Sequence, residues 1–238
     1  MKIVPQSVTL LDYQGSDLST VNAARVSFNK ESTWEFINPP AIDPFGNHIS
    51  KYSDRVLSGK DIKLINYLAK HNHWSPFAHN SLTFRIKAPI FVARQLVKHQ
   101  VGGVWNEVSR RYVDEEPEFY LPTLWHKKPE NAKQGASEEV VDFGEDKDMP
   151  WLFTNTCLAA YLDLLDMQVA PEEARMFLPL NTMTEWWWTG SLMFFARVCK
   201  QRLDSHAQNA TREVAQLIAD AIPNEFTHSW KALMGQGS

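Results

Sequence analysis

The stretch from residue 80 to residue 99, NSLTFRIKAPIFVARQLVKH, changes its hydrophobic period once. Leu82, Phe84 and Ile86 alternate with Ser81, Thr83, Arg85 and Lys87, so an extended chain here has one buried and one polar face. After Pro89 the period lengthens. Ile90, Ala93, Leu96 and Val97 fall on one side of a helix, and Arg94, Gln95, Lys98 and His99 on the other, because positions four apart are neighbours along the axis. Pro89 suits the first turn of that helix, where its missing N–H costs nothing. The spacing predicts a strand over 80–87 and a helix running to about His99, ended by the Gly-Gly break at 102–103.

Working outward, residues 2–11 read as a strand, and Asp17 or Ser19 can cap a short helix over 21–26. Residues 29–57 are rich in Asn, Pro, Ser and Asp and read as loop. Residues 61–70 are amphipathic, with Ile62, Ile65 and Leu68 on one stripe. Beyond the Gly-Gly break, 106–113 is polar and reads as extended. The charged, nearly aperiodic run that follows His126 reads as a surface insertion at about 127–148. Asp148-Met149-Pro150 is a helix-start signal for 151–168. Helices are expected over 171–178, 191–202 and 207–221, with a short aromatic segment at Trp186–Trp188 ending at Gly190. The fold class is α+β, a central mixed sheet flanked by helices, in one domain over 1–238.

The chain has 238 residues with 44% hydrophobic and 22% charged side chains, an ordinary globular mix large enough for a real core. A formal net charge of −4 argues against a general nucleic-acid binder, which needs a broad basic surface. It leaves room for a small anion held by a local cluster of arginines. Only two cysteines occur, Cys157 and Cys199, both in apolar segments, which fits buried free thiols rather than a disulfide framework. The opening residues, MKIVPQSVTLLDYQG, carry polar and turn-forming residues too early for a secretory leader, and no apolar run approaches membrane-spanning length. A cytoplasmic protein with neither membrane nor nucleic-acid partners is expected (host cytoplasm if phage-encoded).

Three constellations carry chemistry. The first joins the polar face of the 90–99 helix to the Gly-Gly turn and to Asn106, Glu107, Ser109, Arg110 and Arg111. Two cationic clusters flank one turn in an acidic protein. Arginine forks match planar anions, and glycine backbone lets N–H groups approach a phosphate. The bland alternative is a solvated helix face and a polar loop. The second is RVCKQRLDSHAQNATRE, residues 197–213. If the helix continues through His206, then Arg202 and His206 share a face, and Arg197 lies about 140° from Arg202 around the axis. Asp204-Ser205 can equally break the helix and cap a new one, and a surface helix laced with ion pairs accounts for the segment as well. The third is KHNHWSPFAH, where His71, His73 and His79 invite a metal-dependent hydrolase as the alternative function. No fourth ligand stands at typical spacing, however, and there is no HExxH pattern. Two absences add to this: there is no P-loop or GxGxxG fingerprint, and no Cys or Ser in a recognisable nucleophile context.

On these residues the chain resembles the flavin-dependent thymidylate synthases. Arg94-Gln95-Leu96-Val97-Lys98-His99-Gln100 stands against that family's Arg-Gln-x-x-Arg-His-Arg, and Asn106-Glu107-Val108-Ser109-Arg110-Arg111-Tyr112 against Asn-Glu-x-Ser-x-Arg-Tyr. Residues 23–28, 71–79, 173–181 and 202–208 resemble further family segments in the family's order, so the resemblance spans most of the chain. There are departures. Lys98 and Gln100 replace two arginines, as in a phage-type variant. Eight residues rather than seven separate Gln100 from Ser109. Ala78 stands for the usual Glu, and Ser191 and Arg197 stand where Asn is frequent.

The resemblance implies reductive methylation of dUMP to dTMP, with FAD as cofactor and NADPH and methylene-tetrahydrofolate as co-substrates, in a homotetramer with shared active sites. It implies that Gln95, Lys98, Glu107, Val108, Ser109, Arg110, Arg111 and Arg175 hold the nucleotide. It implies that Arg202 faces the uracil as the catalytic residue. His73, Ser75, Lys98, His99, Gln100, Glu107, Ser191 and Arg197 are implied around FAD, and no metal is called for. The missing nucleophile context is consistent, because a hydride-donating flavin replaces a thiol attack on the uracil ring.

Overall fold

The computed structural model describes residues 1–37, 55–113, 115–130 and 135–237. Helices and strands mix along the chain as an α+β fold requires. The principal sheet has four strands in the order β2(Ser7–Gln14), β5(Ser81–Pro89), β8(Met183–Ser191), β6(Gly103–Glu107). Short strands flank it in the chain. β1(Lys2–Ile3) pairs in parallel with β7(Glu118–Phe119), and β3(Glu35–Phe36) pairs antiparallel with β4(Arg55–Val56). Among the described residues no helix is long and apolar enough to cross a membrane.

The chain divides into two compact units. The first comprises Met1–Leu11, Thr83–Thr189 and Arg197–Ala221. Here β5 buries Phe84 and Ile86 completely, as its alternation dictates. The next strand in the sheet, β8, was not foreseen as a strand. Its Trp-Trp-Trp run hides the period in the sequence, but Trp186 and Trp188 are buried while Trp187 is 57% exposed. Trp105 of β6 stacks on Trp186 at 4.3 Å between ring centroids and meets Trp188 edge-on at 5.3 Å.

α4(Ile90–Leu96) follows β5 directly. It is shorter than expected and stops at Leu96 rather than His99, and Pro89 sits at the N-cap rather than inside the first turn. α5(Met149–Asp166) packs Leu158 and Tyr161 with Phe119 and with Ala174 of α6(Pro171–Ala174). The helix expected over 171–178 is only this one turn followed by a 3₁₀ turn at Arg175–Phe177. Near the insertion, Trp125 O accepts from Val141 N at 2.6 Å and Lys127 N donates to Glu139 O at 2.9 Å.

The second unit comprises Asp12–Leu82, Gly190–Ala196 and Ile222–Ser238. α1(Asp17–Arg25) is capped by Ser16, not by Asp17 or Ser19. Ser16 and Ser19 form a reciprocal capping box. Asp17 is instead buried, and its carboxylate accepts the N–H groups of His228 at 2.8 Å and Ser229 at 2.7 Å in α9(Thr227–Leu233). Burial pushes its pKa up, opposed by those donors. Arg25 reaches Asp61 of α2(Gly59–Lys70) at 2.6 Å. Gly15 has φ +96°, and a Cβ there would lie 2.0 Å from Asn80 Oδ1, so this turn excludes any side chain. α3(Ser75–Ala78) buries Pro76 and Phe77. The loop expected over 29–57 lies partly outside the described residues, and its described ends carry β3 and β4.

Candidate functional site

The site is assembled in the first unit, where α4 ends early. Leu96 closes the last turn, the chain bends through Val97–Gln100, and Gly102 supplies a positive φ of 89° before β6 begins. Because the helix stops, His99 leaves the α4 face and turns toward α7(Leu192–Arg202). Arg202 Nε donates to His99 Nε2 at 3.0 Å, and Arg202 Nη2 donates to the Gln95 carbonyl at 3.3 Å. Gln95 is fixed in turn. Its amide N–H donates to Gln208 Oε1, and its amide oxygen accepts from Thr211 Oγ1 at 3.1 Å. Arg197, exposed on the same helix, donates to Val101 O at 2.7 Å.

Half-burial and the positive charges of Arg202 and Arg197 hold the His99 imidazole down to about 4, so it is neutral at physiological pH. A guanidinium has no acceptor, so the Nε2 lone pair faces Arg202 and the ring proton belongs on Nδ1.

Arg202 and Gln95 line a cavity of about 920 Å³ together with Tyr120, Trp125, Asn181 and Gln208. Tyr120 was missed at the sequence level, since it lies in no periodic or motif-like setting, and Asn181 stood at the end of the 173–181 segment without a role. Gln208 stood inside the DSHAQ run without a role. Burial and the neighbouring Glu213 push the Tyr120 hydroxyl up to about 12, so it stays protonated and points at Glu213 Oε2, 3.4 Å away.

A second cavity of about 790 Å³ collects Glu107, Val108, Arg110 and Arg175 with Lys87 and Glu185. Glu107 accepts one hydrogen bond on each carboxylate oxygen, from Thr184 Oγ1 at 2.7 Å and Trp105 Nε1 at 3.0 Å. Val108 N donates to Glu185 O at 2.9 Å. The arginines are held more loosely, by one carbonyl each: Arg110 Nη1 on Glu115 O at 2.9 Å, Arg175 Nε on Glu172 O at 3.2 Å. Arg111 lies 3.4 Å from the Glu172 carboxylate, and Ser109 Oγ accepts from the Arg111 backbone at 3.3 Å. Neither Ser109 nor Arg111 lines either cavity. Lys98 and Gln100 are exposed on the turn after α4.

The remaining sequence candidates belong to the second unit. His73 meets Tyr67 edge-on at 5.9 Å, Ser75 opens α3, and Ser191 Oγ accepts from Phe194 N at 3.1 Å. Among the described residues no three His, Cys, Asp or Glu side chains gather as metal ligands, and His71 and His73 are grouped with Tyr67 as an aromatic cluster. The 197–213 segment takes its broken form, but the residue at the N-cap of the new helix is Gln208, not Asp204 or Ser205. α7 ends at Arg202, Asp204 accepts from the backbone N–H of His206 at 2.8 Å, and α8(Asn209–Asp220) starts afresh. Neither thiol is poised to act. Burial pushes Cys199 up to about 12, and its Sγ lies 3.5 Å from Ala215 O. Cys157 is a free, half-buried thiol on α5.

Such an arrangement, with arginines lining two cavities, a half-buried neutral histidine behind one of them and no activated thiol, belongs to an α+β enzyme that works on anionic small molecules. Residues 9–226 match the thymidylate synthase complementing protein family. The chain is 34% identical over 232 residues to the flavin-dependent thymidylate synthase of Thermotoga neapolitana, covering 95% of this chain and 90% of the relative. It is also 34% identical over 225 residues to that of Thermus thermophilus, covering 94% and 74% respectively. Among solved structures, the UMP/dUMP methylase PolB from Streptomyces cacaoi, bound with 5-Br dUMP, superposes with a TM-score of 0.77 at 27% identity, covering 100% of this chain and 98% of that one. The chain belongs to the flavin-dependent thymidylate synthase family.

Proposed function

We propose that this chain methylates dUMP to dTMP, taking its carbon from methylene-tetrahydrofolate and its reducing equivalents from NADPH through FAD. The observation that carries the reading is Arg202. One edge of its guanidinium is tied to His99 and Gln95, which leaves the Nη1 and outer Nη2 hydrogens for the cavity it lines. A fixed cation at the uracil carbonyls or ionised N3 stabilises negative charge that develops as the ring reacts, so no thiol nucleophile is needed. The phosphate falls to Arg110, Arg111 and Arg175, with Ser109 and the Val108–Arg110 backbone beside them. Support for a pyrimidine nucleotide comes from the likeness to the UMP/dUMP methylase with its bound nucleotide.

The donors present fit FAD. Lys98, Gln100 and Arg197 lie beside the Gly102–Gly103 turn, and cationic side chains at a glycine turn suit a diphosphate. FAD, when bound, supplies the hydride chemistry. The protein contributes orientation through His99 and charge through Glu107 and Arg197. We assign the enzyme to the cytoplasm.

The nucleotide candidates divide between two cavities of one chain, Gln95 and Arg202 in one and Glu107, Val108, Arg110 and Arg175 in the other. That division supports a homotetramer in which the halves of neighbouring subunits complete each site. The test is an assay of dTMP formation by purified protein with dUMP, methylene-tetrahydrofolate, NADPH and FAD, each omitted in turn, alongside sedimentation. Product formed without flavin, or full activity in a monomer, would defeat the respective half of the reading.

A further inference from the structure

The Arg202 guanidinium has two recognition edges. The side edge carries Nε–H and one Nη2–H, and the end edge carries Nη1 and the other Nη2 hydrogen. The structure spends the side edge on the protein itself, Nε–H on His99 Nε2 at 3.0 Å and Nη2–H on the Gln95 carbonyl at 3.3 Å. Both acceptors are held in place. Gln95 lies in the last turn of α4 and is pinned through its amide by Gln208 and Thr211 of the α8 start. His99 sits in the turn that follows, and its backbone N–H donates to Leu96 O at 3.0 Å. Arg197, one and a half turns back along α7, ties the same turn down by donating to Val101 O at 2.7 Å.

A carboxylate would be the ordinary partner for an arginine side edge. It would neutralise the guanidinium and compete with an anionic ligand for it. A neutral acceptor orients the group and leaves its charge undiminished for whatever enters the cavity. We propose that His99 is a positioning residue for the nucleotide reaction: as an uncharged acceptor it clamps the side edge of Arg202 so that the end fork meets the pyrimidine ring with its full positive charge. The inference rests on the proposed dUMP reading of the cavity. It assigns His99 a role through Arg202, separate from any contact with flavin. The imidazole has to stay neutral, and its environment ensures this, since burial and the Arg202 and Arg197 charges all disfavour the protonated ring.

The test compares FAD-loaded wild-type enzyme with His99→Gln, His99→Asn and His99→Ala, each also in an Arg202→Lys background. The glutamine amide oxygen reaches the position of Nε2, whereas asparagine reaches only as far as Nδ1. The clamp predicts that His99→Gln keeps kcat within about threefold of wild type, while His99→Asn and His99→Ala lose roughly tenfold or more, the scale at which a misdirected group is felt in a reaction. In the Arg202→Lys background the alanine change should add less than about twofold, because coupled residues do not act independently. A second readout is independent of turnover. The affinity of dUMP relative to 2-deoxyribose 5-phosphate, by calorimetry on the oxidised FAD-loaded protein, should fall in His99→Ala while the sugar phosphate binds as before. Equal losses in His99→Gln and His99→Ala, or losses that multiply with Arg202→Lys, would overturn the clamp. If His99→Ala does not fold, the glutamine–asparagine pair decides. Wild-type protein that forms no dTMP defeats the dUMP reading itself, whereas an active wild type with an indifferent His99 defeats only the clamp.

Discussion

The arginines around the two cavities are held in different ways. Arg202 has its side edge satisfied by a histidine and a helix-end carbonyl, each fixed by neighbours of its own. Arg110 and Arg175 each rest on one carbonyl, and Arg111 lies 3.4 Å from the exposed Glu172 carboxylate. A group that meets charge developing during a reaction gains from being fixed beforehand, since no reorganisation is then needed at the transition state. A group that holds a phosphate, whose charge is the same before and after, gains little from rigidity. It contributes uniform binding, which lowers KM and leaves kcat alone. The two regions therefore separate chemistry from capture, and substitutions should separate the same way.

The largest effect should come from Arg202→Lys. Lysine keeps the charge but cannot be held by one edge while presenting the other, so kcat for dTMP formation should fall by roughly 10²-fold or more, the scale of one lost oxyanion-type donor. Steady-state kinetics at saturating dUMP decide it. A folded, FAD-bound variant with near wild-type kcat would collapse the distinction between the two regions.

Arg175→Lys should do the reverse. KM for dUMP rises, on the order of tenfold for a weakened charge-assisted contact, with kcat within about twofold. A fall in kcat at unchanged KM would place Arg175 with the chemistry and merge the two groups.

Acid should distinguish the regions more gently. The folded-state pKa of His99 lies near 4 against an ordinary 6.5, so between those values the unfolded chain takes up a proton that the folded chain refuses. The stabilisation tied to neutral His99 is complete above about 6.5 and is lost progressively as the pH falls toward 4. Urea midpoints for wild type and His99→Gln should accordingly converge between pH 7 and pH 5 if wild type starts higher, because glutamine does not titrate. Midpoints that stay parallel would show that the imidazole is not held neutral by its surroundings.

Much of this was legible in the sequence, for physical reasons that differ by element. β5 declared itself because Leu82, Phe84 and Ile86 alternate with polar residues, and all three are fully buried. β8 did not, since three consecutive tryptophans carry no visible period and only burial tells Trp187 from its neighbours. The end of α4 was misread for a related reason. Arg94, Gln95, Lys98 and His99 complete a polar helical face on paper, but the chain breaks at Leu96 and sends His99 to a partner 103 residues away. Arg202 was nominated by the family resemblance of its segment. Its contacts with His99 and the Gln95 carbonyl depend on tertiary approach that no local spacing encodes.

The smallest effect should come from the cysteines, and it completes the contrast between fixed cation and nucleophile as ways of activating uracil. A thiol attack needs thiolate near neutral pH, usually obtained from a neighbouring cation or base. Cys199 has the opposite setting, with burial pushing its pKa up to about 12 and Ala215 O as its neighbour at 3.5 Å. Cys157 sits half-buried on α5, and neither cysteine lines the cavity that Arg202 lines. The Cys157→Ser, Cys199→Ser double variant should retain turnover within about twofold. It should lose some stability, because a hydroxyl at the fully buried position 199 is costlier to desolvate than a thiol. Steady-state dTMP formation and a thermal melt, measured on the same preparation, separate the two consequences. Abolished turnover in a folded, flavin-loaded double variant would mean that a thiol takes part, and Arg202 would then be left as a binding residue alone.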